Sequence, residues 1–327
     1  MLLEDNTEET EVTSEGAEPL VSIIIPAYKV APFITETLDS VFAQTFRDYE
    51  AIVINDGSPD TEALERALQP YRGRILYLRQ ENRGAGAARN TGLRVARGRY
   101  VAFLDGDDTY VPTFLHDQLQ LIQSNGGCDL VYADATNFGD FKPDGLTNMD
   151  VNQSRGEVDA EALISGRCNV ITSAVLARRE LVLQAGLFDE TLRNSQDFDL
   201  WIRLAKRGAR FDYQRKVLVN RRIYPGSLAS DPIKSFEGEV RVLEKTSLRD
   251  DLTPAERSAL EATARLRRAA IELIKAKRCL LAGDFTSASK SFRFANEQLQ
   301  SWKLRLVLIW LRLAPGLLQR CFKLRPT

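Results

Sequence analysis

The segment Tyr100-Val101-Ala102-Phe103-Leu104-Asp105-Gly106-Asp107-Asp108 decides how this 327-residue chain is read. A short apolar run stops at an acidic turn, as a buried strand does when it delivers polar groups to the end of a sheet. Upstream, Val21-Ser22-Ile23-Ile24-Ile25 stops at Pro26, and Tyr49-Glu50-Ala51-Ile52-Val53-Ile54 stops at Asn55-Asp56-Gly57. Ile75-Leu76-Tyr77-Leu78 makes a shorter third run. Helical patterns bounded by Gly, Pro, Asn or Asp fill the gaps at about 31–44, 60–70 and 84–97. Strands alternating with helices predict an α/β fold, a mostly parallel Rossmann-like sheet flanked by helices. Such sheets bind ligands beyond the carboxyl ends of their strands. Downstream, Leu130-Val131-Tyr132-Ala133-Asp134 reads as another strand, and 137–156 as a long loop over the site. The core resumes near Asn169-Val170-Ile171-Thr172 and ends about Leu228.

Three carboxylates within four residues repel one another unless a cation or a hydrogen-bond network absorbs the charge. Mg²⁺ or Mn²⁺ would do so, because hard cations prefer oxygen ligands and share one or two carboxylates with substrate phosphates. Gly106 would let backbone approach closely. The alternative is a surface turn whose Asp108 caps the next helix; the place after a buried strand favours the first reading.

Three further elements are ambiguous when each is taken alone. Asp56, at another strand end, accepts hydrogen bonds from a base or ribose, or simply belongs to an Asp-Gly-Ser turn. Asn82-Arg83-Gly84-Ala85-Gly86-Ala87-Ala88-Arg89-Asn90 combines small residues with an arginine placed to face a diphosphate. It is not the dinucleotide fingerprint, since it does not follow the first strand. In Ser195-Gln196-Asp197-Phe198-Asp199-Leu200-Trp201, Asp197 is either a helix cap or a general base. Displacing a nucleoside diphosphate by a hydroxyl needs one carboxylate to take the proton, for which Asp197 is suited, and a metal or Arg at the leaving phosphate, where Asp107 is suited.

Together with Gly186-Leu187-Phe188-Asp189-Glu190, these elements resemble the family 2 glycosyltransferases of the GT-A fold over residues 20–230. The resemblance implies that Pro26, Ala27, Tyr28 and Asp56 hold the nucleoside, with Asn82, Arg89 and Gly106 also on the donor. It implies that Asp105 lies near the ribose, Asp107 on the metal, and that Asp197 is the base of an inverting transfer. The acceptor would be a glycan or a lipid-linked glycan in cell-surface polysaccharide synthesis, and the donor a nucleotide-sugar, with uridine diphosphate preferred. Relatives often carry Glu-Asp where this chain has Gln196-Asp197, and Arg-x-His-Pro-Gly-Ser where it has Arg222-Ile223-Tyr224-Pro225-Gly226-Ser227. Those two departures leave a catalytically silent nucleotide-sugar or carbohydrate-binding module as the alternative. The Gln-x-x-Arg-Trp pattern of processive relatives is absent, which favours transfer of a single sugar. A nucleotidyltransferase would need a Gly-rich, Lys-containing loop where Pro26-Ala27-Tyr28 stands.

The ends of the chain differ in charge. Residues 1–19 carry seven acids and no base, the composition of a disordered tail, and lack the flank and apolar core of a secretory signal. A helical extension is expected over 231–327, with a capping box at Thr253-Pro254-Ala255-Glu256, a helix stopping at Gly283 and another over 286–300. After Gln300 come six Lys or Arg and no acid, in a segment, 302–325, too short to span a bilayer. It reads either as peripheral contact with an anionic membrane or as an amphipathic helix packed on protein. A net charge of −1 argues against nucleic acid as a partner. Four scattered cysteines without CxxC spacing fit a reducing cytoplasm. His116 is expected on a solvated helix position.

Overall fold

The computed structural model describes residues 18–124, 127–140, 146–227 and 230–323. All but the last two residues of the expected acidic tail, the middle of the expected loop, and Leu228 therefore lie outside the described residues. In chain order the elements are β1 (Val21–Ala27), α1 (Ile34–Phe42), β2 (Tyr49–Asp56), α2 (Thr61–Leu68), β3 (Leu76–Gln80), α3 (Ala85–Val95), β4 (Tyr100–Phe103), β5 (Thr109–Tyr110), α4 (Phe114–Gln123) and β6 (Leu130–Gly139). Then follow α5 (Asn148–Val151), α6 (Ala160–Ile164), β7 (Val175–Arg178), α7 (Arg179–Gln184), α8 (Gln196–Lys206) and β8 (Phe211–Ile223). Helices α9 (Pro232–Ser247), α10 (Pro254–Ala282), α11 (Phe285–Leu299), α12 (Trp302–Leu313) and α13 (Pro315–Lys323) complete the chain.

One eight-stranded sheet runs in the order β3-β2-β1-β4-β7-β6-β8-β5. The first four strands are mutually parallel; β7 is antiparallel to β4 and β6, β6 is parallel to β8, and β5 is antiparallel to β8. Both faces are buried, which is why the central strands are almost continuously apolar. Ile24, Ile52, Ile54, Val101 and Phe103 face a core closed by α3, α8, α9 and the start of α10. Ile23, Ile25, Val53 and Leu104 face a second core closed by α1, α2 and α4.

Several boundaries differ from the sequence expectation. β1 continues through Pro26 to Ala27, because β4 flanks it only as far as the Ile24–Phe103 pair and a proline there interrupts no bond to β4. The stretch read as a loop from 137 begins as strand, since β6 pairs with β8 to its end at Gly139–Ile223, and Thr147 caps the short α5. The core near 169–172 resumes as a 3₁₀ turn, Thr172–Ala174, with β7 starting only at Val175.

The helices after Asp231 pack in two ways. Val242 and Leu243 of α9 and Leu260 of α10 join the sheet's core. Lys245 bridges Asp189 and Asp199 at 2.6 Å each, and the buried Lys206–Glu256 pair, at 2.8 Å, ties α8 to the expected capping box of Thr253 and Glu256. The pair fixes where the start of α10 sits against α8, while the apolar contacts of Leu260 and Ala264 hold it there. Farther on, Ala276, Leu280, Ala288, Phe292 and Leu311 form a separate apolar cluster between α10, α11 and α12.

Helix α3 approaches the sheet so closely that a Cβ on Gly92 would meet Ile24 Cγ2 at 2.6 Å and Ile54 Cδ1 at 2.9 Å. Helix propensity alone would favour alanine there by roughly 0.5–1 kcal/mol. Overpacking a core costs about 1–3 kcal/mol, so sterics win. Gly92→Ala is therefore expected to destabilise the chain by about 1–2 kcal/mol in a urea titration; a stabilised variant would show that α3 does not seat this closely.

Candidate functional site

The acidic turn distributes its charges among separate partners. Asp105, at the end of the β4 segment, accepts a hydrogen bond from Arg89 Nη2 at 2.5 Å. Asp108 is buried, accepting from Ser173 Oγ at 2.7 Å and from the Arg222 main-chain N–H at 2.9 Å. It does not cap a helix: α4 begins six residues later, and the turn instead passes into β5. Asp107 is hydrogen-bonded by the Tyr224 hydroxyl. Burial, and then the charge of Asp105, push Asp107 up to about 6; burial, Asp105 and Asp107 push Asp108 up to about 7. Tyr224, raised by burial and by Asp107, stays a neutral donor. Gly106 is required by crowding, since a Cβ there would lie 2.9 Å from Val30 and 3.0 Å from the Pro26 carbonyl oxygen.

The neighbouring strand ends are latched to one another. The Lys29 N–H donates to Ser58 Oγ at 2.7 Å, fixing the end of β1 against the loop after β2 and leaving the Tyr28 ring half exposed. Asp56 is buried, and its carboxylate accepts from Gln80 Nε2 at 2.7 Å, Arg83 N at 2.9 Å and Gly84 N at 2.8 Å. Its carbonyl accepts from Asn82 Nδ2 at 3.0 Å. Asp56 and Asn82 thus shape the entry to α3. Arg89, also buried, lies 5.5 Å over the Phe188 ring, and its Nε has no hydrogen-bond partner among the described residues.

Asp197 sits on the second residue of α8, after Ser195, which adopts a left-handed conformation at φ 60°. Its carboxylate accepts from Thr172 Oγ1 at 2.6 Å and from the Phe198 N–H at 2.9 Å. One carboxylate oxygen thus takes a side chain from another element and the other takes a first-turn N–H of its own helix. Asp197, Arg89 and Asp105 line one cleft of about 370 Å³. His116 is exposed on α4, away from it.

Two groups of residues in this cleft escaped the sequence reading. Thr172 and Ser173, which hydrogen-bond Asp197 and Asp108, lie where the sequence showed only that the core resumes. Lys234 and Glu239 of α9 and Arg267 of α10 line the same cleft, so the carboxyl-terminal helices supply a wall of it. Arg267 Nε binds Glu239 at 2.6 Å, and Glu239 lies within electrostatic reach of Asp197. No local motif marks those positions. Other recognisable motif residues build the frame: Asn90 exchanges two hydrogen bonds of 2.9 Å with the Phe188 backbone, and Phe103, Phe188 and Trp201 form a buried aromatic cluster.

The donors near the turn suit a hard cation, being carboxylate oxygens, and Asp107 has no ion-pair partner of its own among the described residues. Among those residues no three His, Cys, Asp or Glu side chains converge on one point. A cation at Asp107 would need substrate oxygens and water to complete its coordination.

A sheet whose central strand ends in an acidic turn, with a second carboxylate across the adjoining cleft, defines a transferase of the GT-A class. The sequence matches Glycosyl transferase family 2 over residues 22–171. An uncharacterized glycosyltransferase of Rickettsia prowazekii is 32% identical over 227 residues, covering 67% of this chain and 69% of that protein. The UDP-Glc:alpha-D-GlcNAc-diphosphoundecaprenol beta-1,3-glucosyltransferase WfaP of Escherichia coli is 28% identical over 231 residues, covering 70% and 88%. The chain belongs to glycosyl transferase family 2 and is a glycosyltransferase. Among solved structures, S. aureus TarS 1-349 in complex with UDP-GlcNAc superposes with a TM-score of 0.62 at 19% identity, over 93% of this chain and 90% of that one. The mannosyltransferase PcManGT of Pyrobaculum calidifontis, in complex with GDP-Man and Mn2+, gives 0.61 at 21% identity, over 93% and 87%. These two establish the shared fold.

Asp56→Asn preserves shape but replaces one acceptor oxygen by an N–H₂ group facing backbone donors. Leaving a buried donor unpaired costs about 1–3 kcal/mol, and that loss is expected in chemical denaturation together with weaker nucleotide binding. An unchanged stability would contradict the arrangement around Asp56.

Proposed function

We propose that the chain is an inverting glycosyltransferase that moves a single sugar from a UDP-sugar to a hydroxyl of a glycan or lipid-linked acceptor in cell-surface polysaccharide synthesis. The observation that carries this reading is the single cleft lined by Arg89, Asp105 and Asp197. The UDP-Glc and diphosphoundecaprenol in the name of WfaP, and the UDP-GlcNAc held by TarS, support a uridine nucleotide and a lipid-linked acceptor. The GDP-Man held by PcManGT makes guanosine the donor to test against it.

On this reading, the end of β1 at Pro26-Ala27-Tyr28 and the loop shaped by Asp56 and Asn82 receive the nucleoside, and Asp105 lies on the ribose side, held there by Arg89. Gly106 keeps the acidic turn against the first strand's end. Asp107 would hold Mg²⁺ or Mn²⁺, whose charge, when bound, offsets the charge that develops on the leaving diphosphate. Asp197 takes the acceptor hydroxyl's proton as that oxygen bonds the anomeric carbon and the bond from that carbon to the diphosphate oxygen breaks. Attack from the face opposite the leaving group inverts the centre. Thr172 and the Phe198 N–H each occupy one lone pair of Asp197, which orients the carboxylate and leaves it further lone pairs for the acceptor. The α9–α10 wall beside Asp197 serves the acceptor. Such an enzyme works in the cytoplasm, at the inner face of the cell membrane when its acceptor is anchored there.

Asp197→Asn keeps size and removes basicity. The variant is expected to retain stabilisation against heat by UDP-sugars while transfer falls by about 10²- to 10⁴-fold. Wild-type turnover in the variant would remove Asp197 from the role of base.

A further inference from the structure

Helix α12 has two unlike faces. Leu304, Val307, Leu308 and Leu311 pack into the cluster shared with α10 and α11. On the opposite side Trp302, Leu306, Ile309, Trp310 and Leu313 are 47–77% exposed. Their spacing of i, i+4, i+7, i+8 and i+11 makes them one continuous stripe along the helix. Lys303 flanks that stripe on one edge and Arg305 and Arg312 on the other, all three exposed and without an ion-pair partner among the described residues. No acidic residue occurs after Glu297. With 12 residues the helix is too short to cross a bilayer, and among the described residues no helix is long and apolar enough to do so.

We infer that the outward face of α12 docks the enzyme on an anionic lipid surface. An apolar stripe carrying two tryptophans, with cations on both edges, matches the boundary between headgroups and acyl chains, with the rings at headgroup depth and the cations on lipid phosphates. A second copy of the chain is the poorer occupant. An isologous contact would set Lys303, Arg305 and Arg312 against the same residues of the partner, with no acid on α12 or α13 to receive them. The packed rear face fixes which side is presented, so docking needs no refolding of the helix. The inference is independent of which sugar the cleft handles.

The full chain should be mixed with vesicles of phosphatidylcholine alone or of phosphatidylcholine with phosphatidylglycerol, and followed by sedimentation and tryptophan emission. Trp201 is buried, so an emission shift reports Trp302 and Trp310. Binding to the anionic vesicles with a blue shift, weakened by salt and much weaker on the neutral ones, is expected. Each basic residue near an anionic surface is worth a factor of about five, so replacing all three by Gln should weaken partition about a hundredfold. Trp302→Ser with Trp310→Ser should abolish it while UDP-sugar stabilisation and the melting temperature stay unchanged. Absence of sedimentation and blue shift with anionic vesicles would overturn the inference. So would a lipid-free dimer that the double tryptophan variant dissolves, since that assigns the stripe to self-association.

Discussion

Asp105, Asp107 and Asp108 share one turn, and the charge repulsion among them is the constraint around which the site is built. Each is handled differently. Arg89 neutralises Asp105 from α3, and Ser173 with the Arg222 N–H satisfies the buried Asp108. Asp107 receives the Tyr224 phenol and its own main-chain N–H, with the Arg222 charge nearby but no ion pair, and burial and Asp105 still push it up to about 6. The turn is thus anchored on both sides and under-compensated in the middle. Perturbed carboxylates of this kind cluster at functional sites, and the proposed cation at Asp107 would offset the imbalance.

That constraint reaches through the rest of the fold. Arg89 must lie buried beside Asp105, so α3 is built of small residues and is clamped through Asn90 to the Phe188 backbone. Phe188 packs with Phe103 and Trp201, which couples the turn's own strand to α8, the helix bearing Asp197. The two acidic regions therefore hold their spacing through a rigid aromatic core rather than through direct contact. Helix α8 is held in turn by Lys245 and by the Lys206–Glu256 pair, so the terminal helices brace the site as well as wall it.

Much of this was legible because β1, β2 and β4 are buried on both faces and read as unbroken apolar runs ending at polar turns. β8 was not, although it is 13 residues long. Arg215-Lys216 and Arg221-Arg222 interrupt its pattern, and its partial exposure permits them. The candidate residues Asp56, Arg89, Asp105 and Asp197 were legible from their places at strand and helix ends, and three of them, Arg89, Asp105 and Asp197, line one cleft. Their partners were not, because Thr172 and Asp197 are 25 residues apart and Arg222 and Asp108 are 114 apart, and no local spacing encodes such pairings. The contribution of α9 and α10 to the cleft was hidden for the same reason. Their amphipathic pattern shows that a face is buried but not against what.

Calorimetric titration of UDP into the full chain, once with Mn²⁺ and once with a chelator, tests the central claim most directly. If the under-compensated turn takes a nucleoside diphosphate together with a cation, UDP binds one site, binds more tightly with Mn²⁺, and loses that metal-dependent gain in Asp107→Asn. No UDP binding under either condition, or an affinity indifferent to the metal, would contradict it.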